Sequence, residues 1–448
     1  MIAGESLLLT DLYQLNMMQA YYDHGMTEPA VFELFVRKLP ARRGFLMAAG
    51  LEQVVDFLEG LRFADDEIAF LDRSGRFTRE FLNNLAGFRF TGNVDAVPEG
   101  TIVFPNEPLL RVTAPLPQAQ FVETRLINFV HFETIVASKA ARMVLAAPGK
   151  RLIDFGLRRA HGAEAGLLAA RASYLAGFAG TATVLAERRF GVPIFGTMAH
   201  SFVQAHDDET LAFEHFAHAR PDGLVLLIDT YDTEKAAAKV VALAPRLARD
   251  GIRIRGVRLD SGDLGEHARQ VRRILDEGGL PEVSILASGG LDEDQLADLT
   301  RQAAPIDAYG IGTSLVTSSD VPALDCAYKL QEYAGLPRRK RSEGKATWPG
   351  RKQVWRRTDS QGRIVGDTLT IEGDRQDGDP LLRPIMRDGR RLPDLPMLDA
   401  VRAHAASQLL RLPDALRALQ PMTVPVAIAP ALYALAADCD ARQAAMPG

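Results

Sequence analysis

The sequence predicts an α/β protein: a central series of parallel β/α units, preceded by an α+β module and followed by a segment of mixed character. Three observations carry this. Between residue 151 and about residue 319, six apolar runs of strand length alternate with helical stretches, and buried strands alternating with helices of this length pair in parallel. Outside that span the alternation stops, with Pro148-Gly149 marking the change on one side and the region after Ser319 on the other. The chain therefore divides into residues 1–148, 149–320 and 321–448. Its length, 448 residues, also exceeds what one ordinary core organises, so two or three domains are expected.

Taken in order, Leu12, Leu15 and Met18 recur at three-residue spacing and predict an amphipathic helix over residues 7–22, ended by Asp23-His24-Gly25, with Tyr13 off the apolar stripe. Residues 30–37 read as a strand that runs into a basic loop over 38–44, which taken alone is a solvated turn. Helical periodicity follows over 48–61 and 65–85, then a Gly/Pro-punctuated region over 87–117 predicts short strands, including 100–104. A long helix over 118–146 leads to Pro148-Gly149. The six central apolar runs are residues 151–155, 192–195, 224–228, 252–257, 283–287 and 306–309. Helices are predicted between them over 233–249, 263–277 and 292–302, the last opening with an Asp292…Gln295 capping-box pattern. Six units are more than a small doubly wound sheet needs and fewer than an eightfold barrel. Beyond them, residues 338–357 hold nine Lys/Arg and one acidic residue, Glu343. Such a run is ordinarily solvated surface, but Ser342-Glu343-Gly344-Lys345 and Pro349-Gly350-Arg351-Lys352 set glycine beside cations, as a loop closing over phosphate requires. Residues 395–448 read as helices and turns without recognisable chemistry.

Composition narrows the function classes. The count of 52 Lys+Arg against 57 Asp+Glu, net −5, gives no global reason to expect nucleic acid or an anionic membrane as partner, while a small anionic ligand needs only a local basic site. The two cysteines, Cys326 and Cys439, lie far apart, which argues against a disulfide framework or thiolate metal cluster and fits a reducing cytoplasm. The N-terminus lacks a basic n-region, and the apolar tract over 424–437 is short and broken by Pro425 and Pro430. Neither export nor membrane insertion is expected.

Every apolar run ends in a turn stocked with polar chemistry. These are Asp154-Phe155-Gly156-Leu157-Arg158-Arg159, Gly196 to Ser201 with His200, Asp229-Thr230-Tyr231-Asp232, Arg258-Leu259-Asp260-Ser261-Gly262-Asp263, Ser288-Gly289-Gly290 and Gly310-Ile311-Gly312-Thr313-Ser314. Singly, each has an ordinary account: an aspartate before a helix caps it, a Gly pair relieves a tight turn, an Arg pair lies on the surface, a histidine beside an apolar run is structural. In a parallel β/α architecture, however, all six turns face the end that hosts active sites. Gly289-Gly290 and Gly310-Ile311-Gly312-Thr313 suit a phosphate cradle. Arg158 and Arg258 offer bidentate donors to carboxylate or phosphate, and Phe155 a face for a flat ring. Asp260 and Asp263 suit ribose hydroxyls or a Mg²⁺ brought in by a polyphosphate.

Thr10-Asp11-Leu12-Tyr13-Gln14, Phe35-Val36-Arg37-Lys38-Leu39-Pro40, Asp154-Phe155-Gly156-Leu157-Arg158-Arg159, Gly196-Thr197-Met198-Ala199-His200-Ser201, Leu259-Asp260-Ser261-Gly262-Asp263-Leu264 and Ser342-Glu343-Gly344-Lys345 together resemble the nicotinate phosphoribosyltransferases, in order from residue 10 to about 355. The resemblance implies an incomplete parallel β/α barrel of the type II phosphoribosyltransferase kind, flanked by an α+β domain formed from the N- and C-terminal segments. It implies a cytoplasmic enzyme of NAD salvage, a homodimer with shared active sites. The implied reaction joins nicotinate to phosphoribosyl pyrophosphate, giving nicotinate mononucleotide and pyrophosphate, with ATP as co-substrate, Mg²⁺ accompanying the polyphosphates and a phosphohistidine intermediate. By matching position, His200 is the phosphorylated residue and Asp229 the carboxylate that orients it. Phe155 and Tyr13, the latter from a second copy of the chain, sandwich the pyridine ring. Arg258 assists at nicotinate or ribose, Asp260 holds the ribose, and Arg158, Gly289, Gly290, Gly310, Gly312 and Thr313 lie near the product phosphate. Arg37 and Lys345 resemble phosphoribosyl pyrophosphate or ATP contacts, and no residue is assigned as a metal ligand. One departure stands at Gly180-Thr181-Ala182-Thr183-Val184, where nicotinate enzymes usually carry a Ser-Asn pair and nicotinamide relatives an aspartate. Ala182 removes a carboxylate that repels an anionic substrate, which favours nicotinate.

Two other readings use the same residues. A metal-dependent barrel hydrolase would draw on His200, His206 and Asp207, though it lacks the His-x-His pair expected at a first strand end. A non-catalytic phosphosugar-binding protein would use only the glycine turns and the basic loop, leaving His200 and Asp229 unexplained.

Overall fold

The computed structural model describes residues 6–342, 345–393, 395–420 and 422–445. Glu343 and Gly344, singled out in the basic loop, lie outside the described residues. The chain forms two compact units, one from residues 1–138 with 321–448 and one from 139–320. Both ends of the chain thus build a single α+β unit. The division falls inside the helix Glu123–Ala146 rather than at Pro148-Gly149. The reason lies in its last turns, where Lys139 pairs with Glu293 at 2.5 Å and Asp320 at 2.8 Å, and Arg142 with Glu293 at 3.1 Å.

The first unit holds a seven-stranded sheet in which Pro29–Val36 pairs antiparallel with both Cys326–Tyr333 and Pro108–Pro115. A second, four-stranded sheet centres on Lys352–Thr358 and Ile364–Ile371. Two cations of the basic run are interior, not surface. Lys352 meets Glu33 at 2.8 Å and Arg356 meets Asp367 at 2.6 Å, all four groups being buried, because a cation is tolerated in a core only beside its counter-charge. Near the N-terminus the helix Leu12–Asp23 buries Gln14, Leu15 and Met18. Leu12 and Tyr13 are exposed, so the apolar stripe read from the sequence is one residue shorter in the structure.

The second unit is a parallel sheet. Its strands are β1 (Arg151–Asp154), β2 (Gly180–Thr181), β3 (Leu224–Leu227), β4 (Ile254–Leu259), β5 (Ser284–Ser288) and β6 (Ala308–Ile311), in the spatial order β2-β1-β6-β5-β4-β3. That order is the chain order closed into a ring and cut once, between β2 and β3. The first strand lies beside the last, Asp154 in register with Ile311, so the sheet curls into a barrel left open at one seam. Residues 192–195, expected as a full strand, supply only a single parallel bridge, Ile194 to Thr181, while the two-residue β2 went unpredicted. Pro193 has no N–H to give a ladder; its carbonyl accepts from Thr181 N and the ladder ends with Phe195 N donating to Thr181 O.

Between the strands run α1 (Ala163–Ala176), α2 (Val184–Phe190), α3 (His200–Gln204), α4 (Glu209–Ala219), α5 (Thr233–Arg249), α6 (Leu264–Glu277) and α7 (Glu293–Arg301), and α8 (Thr313–Val316) follows β6. Asp232 caps α5 and Asp263 caps α6 by accepting the backbone N–H of Lys235 and Glu266, each at 3.0 Å, and the Asp292…Gln295 capping box is present. Such caps satisfy donors that the first helical turn leaves unpaired. Asp263 is thereby spent on its helix. No helix among the described residues is long and apolar enough to cross a membrane.

Candidate active site

Because the strands are parallel, all their following turns open at one end of the curled sheet. There a cavity of about 510 Å³ is lined by Phe155, Arg158, Arg258, Asp260, Gly289, Gly290, Gly310, Gly312 and Thr313 among others. Nine of the residues singled out in the sequence are brought together in this one space.

Phe155 follows β1 and donates its N–H to Ile311 O at 2.8 Å. Its ring lies against Gly310, where a Cβ would come within 2.5 Å of the ring, so only glycine permits the contact. Arg258, within β4, is the hub. Its Nε donates to Ser288 Oγ at 2.9 Å, Nη1 to Thr197 Oγ1 at 3.1 Å and Nη2 to Asp260 Oδ1 at 3.0 Å, while its guanidinium lies 5.4 Å from the centre of the Phe155 ring. One planar cation therefore ties together the turns after three strands and the 192–195 segment. Burial alone would raise the Asp260 carboxyl, but the Ser288 hydroxyl at 2.5 Å, Arg258 and His200 outweigh it and hold it below the ordinary range. Gly289 has φ +103°, and a Cβ there would sit 2.2 Å from Asp260 O. Left-handed backbone and lack of room both demand glycine.

His200 opens α3. Its Nδ1 lies 3.1 Å from Thr230 Oγ1, and its Nε2 faces two carboxylates, Asp260 Oδ2 at 3.6 Å and Asp229 Oδ1 at 3.9 Å. Asp229 is buried, its Oδ2 accepting from Asp260 N at 3.0 Å and Ser261 Oγ at 2.5 Å, and its Oδ1 has no hydrogen-bond partner. The group in hydrogen-bond contact with the imidazole is Thr230, not Asp229. The imidazole itself is more than a third exposed.

Tyr13, Arg37 and Lys345 belong to the first unit. The Tyr13 hydroxyl lies 3.3 Å from Glu123 Oε2, and partial burial with that carboxylate pushes it up to about 12. Arg37 pairs with Asp325 at 2.6 Å, and Lys345 is exposed. Sequence reasoning assigned no role to Thr197, Thr230, Ser261 or Ser288, the hydroxyls that hold the charged groups in place; their signal was that each sits in one of the six turns. At the 180–184 departure, Thr181 spends its hydroxyl on Asp154 Oδ2 at 2.7 Å, and Ala182 gives its N–H to Asp154 O at 2.8 Å.

Residues 8–131 match the nicotinate phosphoribosyltransferase N-terminal domain, 150–334 the nicotinate phosphoribosyltransferase family, and 375–436 the nicotinate phosphoribosyltransferase C-terminal domain. A nicotinate phosphoribosyltransferase of Mycobacterium tuberculosis is 52% identical over 414 residues, 92% of this chain and 89% of that protein. The chain belongs to the nicotinate phosphoribosyltransferase family. The Bacillus subtilis nicotinate phosphoribosyltransferase is 39% identical over 356 residues, 78% of this chain and 72% of that one. The crystal structure of human nicotinic acid phosphoribosyltransferase superposes with a TM-score of 0.86 at 31% identity, covering 96% of this chain and 99% of that one. A nicotinate-nucleotide pyrophosphorylase from Pyrococcus furiosus shares the fold with a TM-score of 0.74 at 25% identity, covering 91% and 96%. Membership in the nicotinate phosphoribosyltransferase family makes the chain an enzyme and sets the hydrolase and non-catalytic readings aside. His206, which the hydrolase reading needed, is engaged with Phe202 O at 2.8 Å and His215 Nδ1 at 3.1 Å.

Proposed function

We propose that this enzyme transfers the phosphoribosyl group of phosphoribosyl pyrophosphate to nicotinate in NAD salvage, coupled to ATP hydrolysis through a phosphohistidine at His200. The nicotinate ring nitrogen forms a bond to ribose C1 while the bond from C1 to the diphosphate oxygen breaks, and the electron pair leaves with pyrophosphate. The observation that carries this is the Arg258 hub, which presents a stacking ring, a cation and an ionised carboxylate to one cavity. Phe155 takes one face of the pyridine, Arg258 the negative charge of nicotinate or ribose oxygens, and Asp260 the ribose hydroxyls. Arg158 and the glycine turns take phosphate. Since the transition state is oxocarbenium-like, the residues contribute mainly by position and fixed charge. Asp260 Oδ2, which is not the oxygen taken by Arg258 and Ser288, would suit a hard cation such as Mg²⁺ entering with the polyphosphates, and that charge would neutralise the leaving group.

In the coupling step, His200 attacks the γ-phosphorus of ATP and ADP leaves; water later cleaves the phosphohistidine. With Nε2–H directed to the bare Asp229 Oδ1, the Nδ1 lone pair, now facing Thr230, is the nucleophile. We further assign the working form as a cytoplasmic homodimer in which Tyr13, Arg37 and Lys345 serve sites shared between copies. Product analysis with nicotinate or nicotinamide, each with and without ATP, tests the reading. Nicotinate mononucleotide is expected, with ATP raising the yield; turnover of nicotinamide without nicotinate would overturn the substrate assignment.

A further inference from the structure

We infer that Asp154 and Thr181 form a positioning pair that fixes the Phe155 ring and so sets the affinity for the pyridine substrate. This rests on Phe155 being the platform for the ring. Asp154 is fully buried at the end of β1, immediately before Phe155. Its Oδ1 accepts from Gly156 N at 2.8 Å and its Oδ2 from Thr181 Oγ1 at 2.7 Å, while Thr181 Oγ1 in turn accepts from Thr183 N at 3.0 Å. A single carboxylate thus locks the turn after β1 to the turn after β2, and both its oxygens are used.

The Phe155 turn has no slack elsewhere. A Cβ on Gly156 would fall 2.0 Å from Val316 Cγ1 and 2.9 Å from Asp154 Oδ1, and Gly310 allows no Cβ beneath the ring. The ring is therefore held from below by Gly310 and at its root by the Asp154 clasp on Gly156. Burying a carboxylate without a counter-ion is costly. Asp154 meets Thr181 from β2, Ile311 from β6 and, across Gly156, Val316 from α8, while α1, packed on β2, carries the buried Arg171, whose charge does not act on Asp154. What the charged form provides is two acceptors at once, which a protonated carboxyl lacks. Burial pushes Asp154 up to about 6, against the Thr181 and Gly156 hydrogen bonds, so the clasp is intact above that pH and loosens as the pH falls through it.

The test uses the full-length enzyme and steady-state kinetics for nicotinate and for phosphoribosyl pyrophosphate separately, from pH 5.5 to 8, with thermal melts as a folding control. Thr181→Val is expected to raise KM for nicotinate about tenfold with kcat little changed, since small misplacements of a bound ring are costly, whereas Thr181→Ser retains the hydroxyl and behaves as the unaltered enzyme. KM for nicotinate in the unaltered enzyme rises toward pH 5.5, and that rise disappears in Asp154→Asn. The inference is overturned if Thr181→Val leaves KM for nicotinate alone, if it shifts both substrates' KM equally as general loosening would, or if Asp154→Asn keeps the original pH profile. Phe155→Ala locates any failure: an unchanged KM there removes the platform, and the pair with it, while a raised KM beside a silent Thr181→Val rejects only the pair.

Discussion

The two ends of the active site, the cavity and the His200 turn that meets it at Asp260, are built to different standards of rigidity. At one, Arg258, Asp260, Ser288 and Thr197 are cross-bonded over three chain segments, with glycines at Gly289 and Gly310 where no other residue fits. At the other, His200 is half-exposed on a five-residue helix, held by Thr230 and facing two carboxylates beyond hydrogen-bond distance. The contrast follows the chemistry each end is assigned. Phosphoribosyl transfer needs its groups fixed before the substrates arrive, whereas a histidine that is charged with phosphate and then discharged must accept two arrangements.

The largest effect is expected at the rigid end. Arg258→Ala should lower kcat/KM for nicotinate by about a thousandfold, the scale of losing a fixed charge-bearing donor at a reacting centre. Arg258→Lys should not restore it, because one ammonium cannot replace a planar fork that serves Ser288, Thr197 and Asp260 together; recovery to wild-type rates would show that charge alone matters there. Gly289→Ala should come next, losing about 1–3 kcal/mol of stability or an equivalent part of the rate through strain and the clash with Asp260 O, read as a lower melting temperature together with a raised KM for phosphoribosyl pyrophosphate. At the His200 end, His200→Ala should abolish stimulation by ATP and incorporation of ³²P from [γ-³²P]ATP while leaving ATP-independent transfer within about tenfold of wild type, since Phe155, Arg258 and Asp260 at the transfer centre are untouched. Retained phosphorylation would remove His200 from that role. The smallest change is Thr230→Ala, which deletes one hydrogen bond worth about 1 kcal/mol and should slow phosphorylation severalfold without altering KM for nicotinate. An effect as large as that of Arg258→Ala would erase the distinction between the two ends.

The rigid end was also the more legible one. Phe155, Arg258, Asp260 and the paired glycines stand where apolar runs stop, and the parallel topology converts that position in sequence into position in space. Asp229 and Asp232 are spaced as Asp260 and Asp263 are, yet in each pair the first member faces the site and the second caps a helix. Sequence reasoning offered both Asp260 and Asp263 to ribose or Mg²⁺, because which oxygen finds a backbone N–H depends on where the helix starts. That Thr230 touches the imidazole at Nδ1, at 3.1 Å, while Asp229 stands 3.9 Å from Nε2 depends on how segments far apart in the chain approach one another. β2 escaped notice since two residues carry no periodicity. In the basic run, Lys352, expected in a loop closing over phosphate, and Arg356, expected on the surface, are both interior because their counter-ions, Glu33 and Asp367, meet them only in the fold.

The seam of the barrel has a thermodynamic side. Residues 192–195 are joined to the sheet by one bridge at Ile194, and Pro193 contributes no N–H, so that edge can open at a small fraction of the free energy that unfolds β4 or β5. Beyond Phe195 the chain is tied back to the rigid end, where Thr197 Oγ1 accepts from Arg258 at 3.1 Å, before His200 is reached. Amide hydrogen exchange should accordingly be faster over 193–196 than in β5, with protection returning at the Arg258-bonded Thr197 and Met198.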